Sequence, residues 1–199
     1  MKGYCFLSAV PMRAEASDRA EMVNQLVLGD TVEVLDHQEK WSLVKSDYDG
    51  YEGWVDNKQY APFEDAASLA ESLFLGTPYL WGGRSKGGID CSGLTQICFK
   101  ANGIWLPRDA SQQVTCGIEI FNSSPCQGEV PVRAEGFIQR DDLAFFQNPE
   151  GRVVHVGICL GDGRIVHASG YVRIDTLDSQ GIFDGEKYTH RLHSIRRVK

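Results

Sequence analysis

The sequence predicts an α+β protein in two parts: a strand-only unit over residues 1–62, then a unit over 63–199 in which helices precede an antiparallel sheet. Three observations carry this reading. Up to Pro62 the chain runs in short β-rich stretches with no helical period. Just beyond it, Ala66, Leu69, Ala70 and Leu73 recur at the i, i+3, i+4, i+7 spacing of a helix face. After about residue 138 the pattern alternates with a period of two.

In the first unit the clearest strands are Thr31 to Leu35, Trp41 to Lys45 and Gly53 to Asp56. The turns between them are marked by Leu28-Gly29-Asp30 and Asp47-Tyr48-Asp49-Gly50. This is small-barrel patterning. In the second unit the first helix is stopped by Gly76. A second helix spans Cys91 to Ala101, with Leu94, Ile97, Cys98 and Ala101 on one face and Asn102-Gly103 as its stop. Residues 108–140 have little periodicity and read as long loops over one face. Strands then follow at Leu143 to Phe146, Val153 to Leu160, Arg164 to Ala168 and Tyr171 to Ile174.

Composition narrows the function classes. Hydrophobic residues at 42% against 24% charged allow a buried core, and 20 Lys plus Arg against 27 Asp plus Glu give a net charge of -7. That balance argues against a nucleic-acid partner. No apolar run approaches the ~18 residues of a membrane span, so no membrane partner is expected. Met1 to Val10 reads as a first strand rather than an export signal. A cytoplasmic setting is therefore expected, and with it reduced thiols. The six cysteines are then read as free thiols, with an occasional disulfide involving Cys116 and Cys126 as the minority reading.

One of those thiols sits where chemistry is favoured. In Gly87-Gly88-Ile89-Asp90-Cys91-Ser92-Gly93 a cysteine stands where a glycine-rich loop becomes a helix, and helix N-termini favour the thiolate. Cys98, two turns on, is expected to be a small core hydrophobe. A nucleophilic thiol needs a base and the base needs an orienting group. In Val153 to Leu160 the alternation places Val154, Val156, Ile158 and Leu160 on the core face, with His155, Gly157 and Cys159 opposite. A three-residue loop at Gly161-Asp162-Gly163 would pair Leu160 with Arg164 and set His167 opposite Gly157, diagonal to His155. A one-residue slip would bury His167 among valines. A cysteine with two histidines also suits zinc, but structural zinc sites use closely spaced ligand pairs, which this chain lacks. No metal and no cofactor is expected.

Five segments in order resemble the signature of the NlpC-type papain-like cysteine peptidases, which cleave bacterial cell-wall peptides: Pro78-Tyr79-Leu80-Trp81-Gly82-Gly83; Asp90-Cys91-Ser92-Gly93-Leu94; Leu106 to Gln113; His155-Val156-Gly157-Ile158; and His167-Ala168. The resemblance covers about residues 64–197. Trp41, Gly50-Tyr51 and Gly53-Trp54-Val55 likewise make the first unit resemble a bacterial SH3-type barrel. The implied fold is a papain-like domain, helices packed on an antiparallel sheet, behind an SH3-like β-barrel.

By motif, Cys91 is implied as nucleophile, His155 as general base and His167 as the residue that orients it. Tyr79 is implied beside the nucleophile, with Asp90 and Ser92 as contacts for the substrate. The branch with an SH3-type domain implies hydrolysis of the bond between γ-D-Glu and an L-diamino acid, diaminopimelate or lysine, in murein tripeptides with a free N-terminal L-Ala. Asp109, with Tyr51 and Glu21 or Glu15 of the barrel, is implied to bind the alanine ammonium. Murein recycling by a monomer is the implied setting. A wall-peptide binding module and an amidase or acyltransferase of the same architecture are the rival readings. The family often has Gly-Asp where this chain has Asp141-Asp142, a departure expected to alter the turn and not the chemistry.

Overall fold

Seven strands make up the first unit, Met1–Glu64. They are β1 (Lys2–Cys5), β2 (Ala9–Arg13), β3 (Met22–Val27), β4 (Thr31–His37), β5 (Trp41–Ser46), β6 (Glu52–Asp56) and β7 (Tyr60–Phe63). All pair antiparallel, in the order β3-β2-β6-β5-β4-β1-β7. Val10, Met12, Leu26, Val32, Val44 and Val55 meet on the inner side and exclude water. The computed structural model describes residues 1–122 and 138–198, and within these no helix is long and apolar enough to cross a membrane.

The second unit, Asp65–Lys199, opens with α1 (Ala66–Leu69), continued by a π-helical turn at Ala70–Phe74. Asp65 caps it by accepting the Ser68 N–H at 2.7 Å. A short ribbon of β8 (Arg84–Ser85) and β9 (Gly88–Ile89) leads into α2 (Cys91–Ala101). Asp90 caps α2 through the Gly93 N–H at 2.7 Å. Gly93 has to be glycine, because a Cβ there would strike the Gly83 carbonyl oxygen of the preceding loop.

The stretch expected as long loops holds more structure than that. Ala110–Gln113 form a short helix, α3, and Ile118–Asn122 form a strand, β10; residues 123–137, with Cys126, lie outside the described residues. Gln113 is fully buried and ties the pieces together. Its Nε2 donates to Ser92 O (3.0 Å) and Pro107 O (2.8 Å), and its Oε1 accepts from Thr95 Oγ1 (2.7 Å).

The sheet comprises β11 (Leu143–Gln147), β12 (Val153–Cys159), β13 (Arg164–Ser169), β14 (Tyr171–Leu177), β15 (Gly181–Phe183) and β16 (Tyr188–Arg197). Sequence periodicity does not announce β15 or β16. Both carry register shifts, Phe145 facing Ser194 but Phe146 facing Leu192, and such a bulge breaks the period of two. These two strands change the architecture. Because β15 pairs with β16, the strands β16-β11-β12-β13-β14-β15 close into a ring, with β10 outside on β16.

The face expected to be polar is therefore the inside of this ring. Ala144, Phe146, Cys159, Ile165, Leu177, Ile182, Leu192 and Ile195 form a second core there, so His155 does not look away from packed interior as the alternation suggested. The other face carries Val156, Ile158, Val166 and Ala168, all buried, and is covered by α1 and α2. Val154, expected among them, is instead 52% exposed.

The expected hairpin register is present. Leu160 N–H donates to Arg164 O at 2.9 Å, and Gly157 faces His167. A Cβ on Gly157 would lie 2.7 Å from Ile165 Cδ1 and 2.9 Å from His167 Cβ, so only glycine lets His167 stand there. Asp141, at the family's glycine position, holds φ at +70° and accepts the Ala67 N–H at 2.8 Å, spending backbone strain on a cap for α1. Gly157→Ala is expected to destabilise the fold by about 1–3 kcal/mol through overpacking. A urea midpoint equal to that of the unsubstituted protein would show that Ile165 and His167 can give way.

Candidate active site

Cys91 is the first residue of α2, where the backbone N–H groups have no partner inside the helix. The residue is 7% exposed and lines a cleft of about 770 Å³ with Tyr79, Trp81, Asp90, Asp109 and Val154. The expectation of a resting thiolate is corrected here. Burial pushes the Cys91 thiol up, and the Asp90 carboxylate adds to it; backbone hydrogen bonds from Val156 and Ser92 oppose the rise without reversing it. The resting sulfur is a thiol. The Val156 bond also fixes its place, beside the residue that follows His155.

The two predicted histidines are in contact. His155 Nε2 and His167 Nδ1 are 2.8 Å apart. A residue that the sequence reading did not assign continues the chain: His167 Nε2 lies 2.9 Å from Asp175 Oδ2 on β14, whose other oxygen accepts from Arg173 at 2.7 Å. Asp175 settles the proton positions. The carboxylate accepts, so His167 carries a proton on Nε2, its Nδ1 accepts from His155 Nε2, and His155 Nδ1 is left as the basic nitrogen. Burial lowers the His155 pKa well below its ordinary value, with His190 and His167 adding to the effect. Burial lowers His167 also, partly offset by Asp175. A neutral imidazole is a base ready to take a proton.

Tyr79 lines the cleft and also an adjoining hollow of about 260 Å³ shared with His155 and His190. Its N–H donates to Gly170 O at 2.9 Å, which anchors the segment to the β13–β14 turn. Burial raises its phenol pKa, as do Cys91 and Asp90, so its O–H is a donor.

Asp90 and Ser92, expected to touch substrate, are bound to the protein itself. Asp90 accepts from Gly93, Gly82 (2.8 Å), Ser92 Oγ and both Nη atoms of Arg108 (3.0 and 2.5 Å), and Arg108 also reaches Ser92 Oγ at 2.9 Å. Burial alone would raise the Asp90 pKa, but Arg108 and the two backbone donors outweigh it and hold the carboxyl below its usual range. These residues brace the helix start. Asp109 is exposed at the cleft. Tyr51 and Glu21, like the alternative Glu15, are exposed residues of the first unit.

The sequence reading missed Arg108, Asp175 and His190. Arg108 stood inside a quoted motif, but no rule of spacing pairs it with a carboxylate eighteen residues earlier. His190 sits on the bulged β16. The ring nitrogens of His155, His167 and His190 lie within 4.8 Å of one another. An ion bound by imidazole lies in the plane of the ring, however, and the His155 and His190 rings are stacked, 25° from parallel, so their lone pairs do not converge on one ion.

Residues 76–193 match the NlpC/P60 family, and residues 12–59 match the bacterial dipeptidyl-peptidase Sh3 domain. The chain belongs to the NlpC/P60 family. It is 33% identical over 128 residues to a γ-D-glutamyl-L-lysine dipeptidyl-peptidase of Bacillus cereus, covering 62% of this chain and 34% of the relative. It is 37% identical over 125 residues to the protein of that name from Bacillus subtilis, covering 59% and 38%. The matched segment thus spans little more than a third of these relatives. The crystal structure of an NlpC/P60 family protein from Bacillus cereus aligns over 99% of this chain and 63% of that one, with a TM-score of 0.56 and 23% identity, and so shares the fold.

The site carries a pH dependence of stability. His155 and His167 titrate below their ordinary value and His190 is lowered to about 4, first by burial and then by His167. The unfolded chain, with histidines near 6.5, therefore binds more protons as pH falls below 6.5, and stability falls with it. The urea midpoint is expected to hold from pH 8 to 7 and to fall once the pH drops below 6.5, with the His190 contribution lost progressively down to about pH 4. A flat profile across that window would mean that the histidines are charged in the folded protein.

Proposed function

We propose that this chain is a cysteine endopeptidase that hydrolyses the bond between γ-D-Glu and an L-diamino acid, diaminopimelate or lysine, in murein peptides with a free N-terminal L-Ala. Cytoplasmic recycling of released peptides is its proposed setting. One observation carries the reading: the hydrogen-bonded series His155–His167–Asp175 leaves a neutral imidazole nitrogen as base on β12, next to the strand residue that bonds the Cys91 sulfur. Family membership and the names of the two Bacillus relatives support the substrate class.

In this mechanism His155 Nδ1 takes the Cys91 proton as the sulfur attacks the γ-carbonyl carbon. Proton transfer is coupled to attack because the resting thiol is neutral. The oxyanion of the tetrahedral intermediate has the Cys91 N–H and the Tyr79 O–H as candidate donors. His155, now imidazolium, gives its proton to the leaving amine, and the C–N bond breaks to leave a thioester. Water, deprotonated by His155, attacks that thioester; the sulfur leaves and recovers the proton. His167 keeps the ring in one tautomer throughout, and Asp175 holds His167. A carboxylate exposed at the cleft rim, Asp109, suits the ammonium of L-Ala.

The rival reading of a wall-peptide binding module is weakened by Asp175, since a scaffold without chemistry has no need for a buried series of proton-holding groups. Incubation of L-Ala-γ-D-Glu-diaminopimelate and its lysine counterpart with the protein is expected to release L-Ala-γ-D-Glu. Cys91→Ala is expected to abolish turnover while the fold persists, N-acetylation of the substrate to raise KM, and Asp109→Ala to do the same for the free amine. Intact substrate under reducing conditions, or turnover by Cys91→Ala, would refute the proposal.

A further inference from the structure

A third imidazole faces the same end of the ring. His190 of β16 stacks on His155 with centroids 4.1 Å apart, and meets His167 edge-on at 5.6 Å and Phe146 at 6.0 Å. Its Nδ1 is held by Thr189 Oγ1 at 2.9 Å. His155 is thus enclosed by three rings: His190 on one face, Phe146 tilted against it at 5.7 Å, and His167 at its edge. Beyond lies the 260 Å³ hollow that His155 and His190 line together.

We propose that His190 is a positioning residue for the reaction: its ring, stacked on His155, fixes the plane of the basic imidazole and shields that imidazole from water in the hollow. The proposal rests on the reading of His155 as base. The physical need is plain. A histidine ring turns about a broad, two-fold terminal torsion, and one hydrogen bond at Nε2 still permits rotation about that bond. A flat neighbour removes the rotation, and with it the loss of Nδ1 from the path of the Cys91 proton.

The titratable and charged groups facing His190 among the described residues are His155 on β12, His167 on β13 and Asp175 on β14, with Arg173 behind Asp175 and Tyr79 across the hollow; β11 contributes Phe146 and β15 pairs Ile182 with His190. Burial holds His190 down to about 4, so its ring is neutral near pH 7. It covers His155 without placing a cation on it.

The test is an NMR titration of ¹⁵N-labelled histidine side chains in the unsubstituted protein, His190→Phe and His190→Ala, run beside kcat and KM. Phenylalanine keeps a flat ring without nitrogens. In the unsubstituted protein and in His190→Phe, His155 is expected to keep one tautomer and to titrate well below its ordinary value, with kcat for the two within about 3-fold. In His190→Ala, water reaches the ring: two tautomers appear, the His155 pKa and the acid limb of kcat/KM move up toward 6.5, and kcat falls about 10- to 100-fold with KM changed by less than about 2-fold. An unchanged tautomer and kcat in His190→Ala would overturn the proposal, and so would a His190→Phe protein as impaired as the alanine variant. The titration needs no turnover. A protein that cleaves no murein peptide yet shows the tautomer shift in His190→Ala would sink the proposed substrate and leave standing the holding of the His155 ring by His190.

Discussion

The facing of Gly157 and His167 across β12 and β13 sets the arrangement of the candidate site in the second unit. With hydrogen in place of a side chain at 157, His167 can lean across the strand pair to within 2.8 Å of His155. That bond sets the His155 tautomer, and the tautomer decides which nitrogen is basic. Asp175, one strand further round the ring, extends the same logic by holding the proton of His167. A substitution or a register slip at this crossing would leave each residue present and the series broken.

Closure of the six strands then sets the energetics. An imidazole inside a packed ring is costly to charge, which keeps His155 neutral. The same burial that keeps His155 neutral raises the Cys91 thiol, so under the proposed roles it favours the base and works against the nucleophile. Helix-end donors and the Val156 bond lessen that cost without removing it. In the proposed reaction a neutral thiol and a neutral imidazole separate charge only as attack proceeds, when the developing oxyanion and imidazolium would offset each other. Around Cys91 the framework is rigid for a related reason: Arg108, Asp90 and Ser92 satisfy one another's buried polar groups and pin the first turn of α2. Asp109, outside that network, keeps a carboxylate exposed at the cleft.

Local patterning reveals the elements that obey a single period. The Cys91–Ala101 helix, its cap and stop, the 160–164 hairpin and the His155–His167 pairing are all written in runs of residues near one another in sequence. It fails where two periods are spliced. The bulges of β16 hide a strand that alternation alone does not reveal, and with it go His190 and the closure of the ring. The short helix in 110–113 does not show in local patterning because Gln113 bonds to the carbonyls of Ser92 and Pro107, partners of which a local period holds no record.

What the sequence determined by itself is the local setting of the candidate groups: a thiol at a helix start, two histidines on a hairpin, and a glycine that allows them to meet. Short-range sterics and hydrogen bonding settle such features within a few residues. Tertiary structure alone decided how those groups are charged and what supports them. Protonation depends on burial and on partners such as Asp175, Asp90 and His190, which come from strands and loops brought near only when the ring closes.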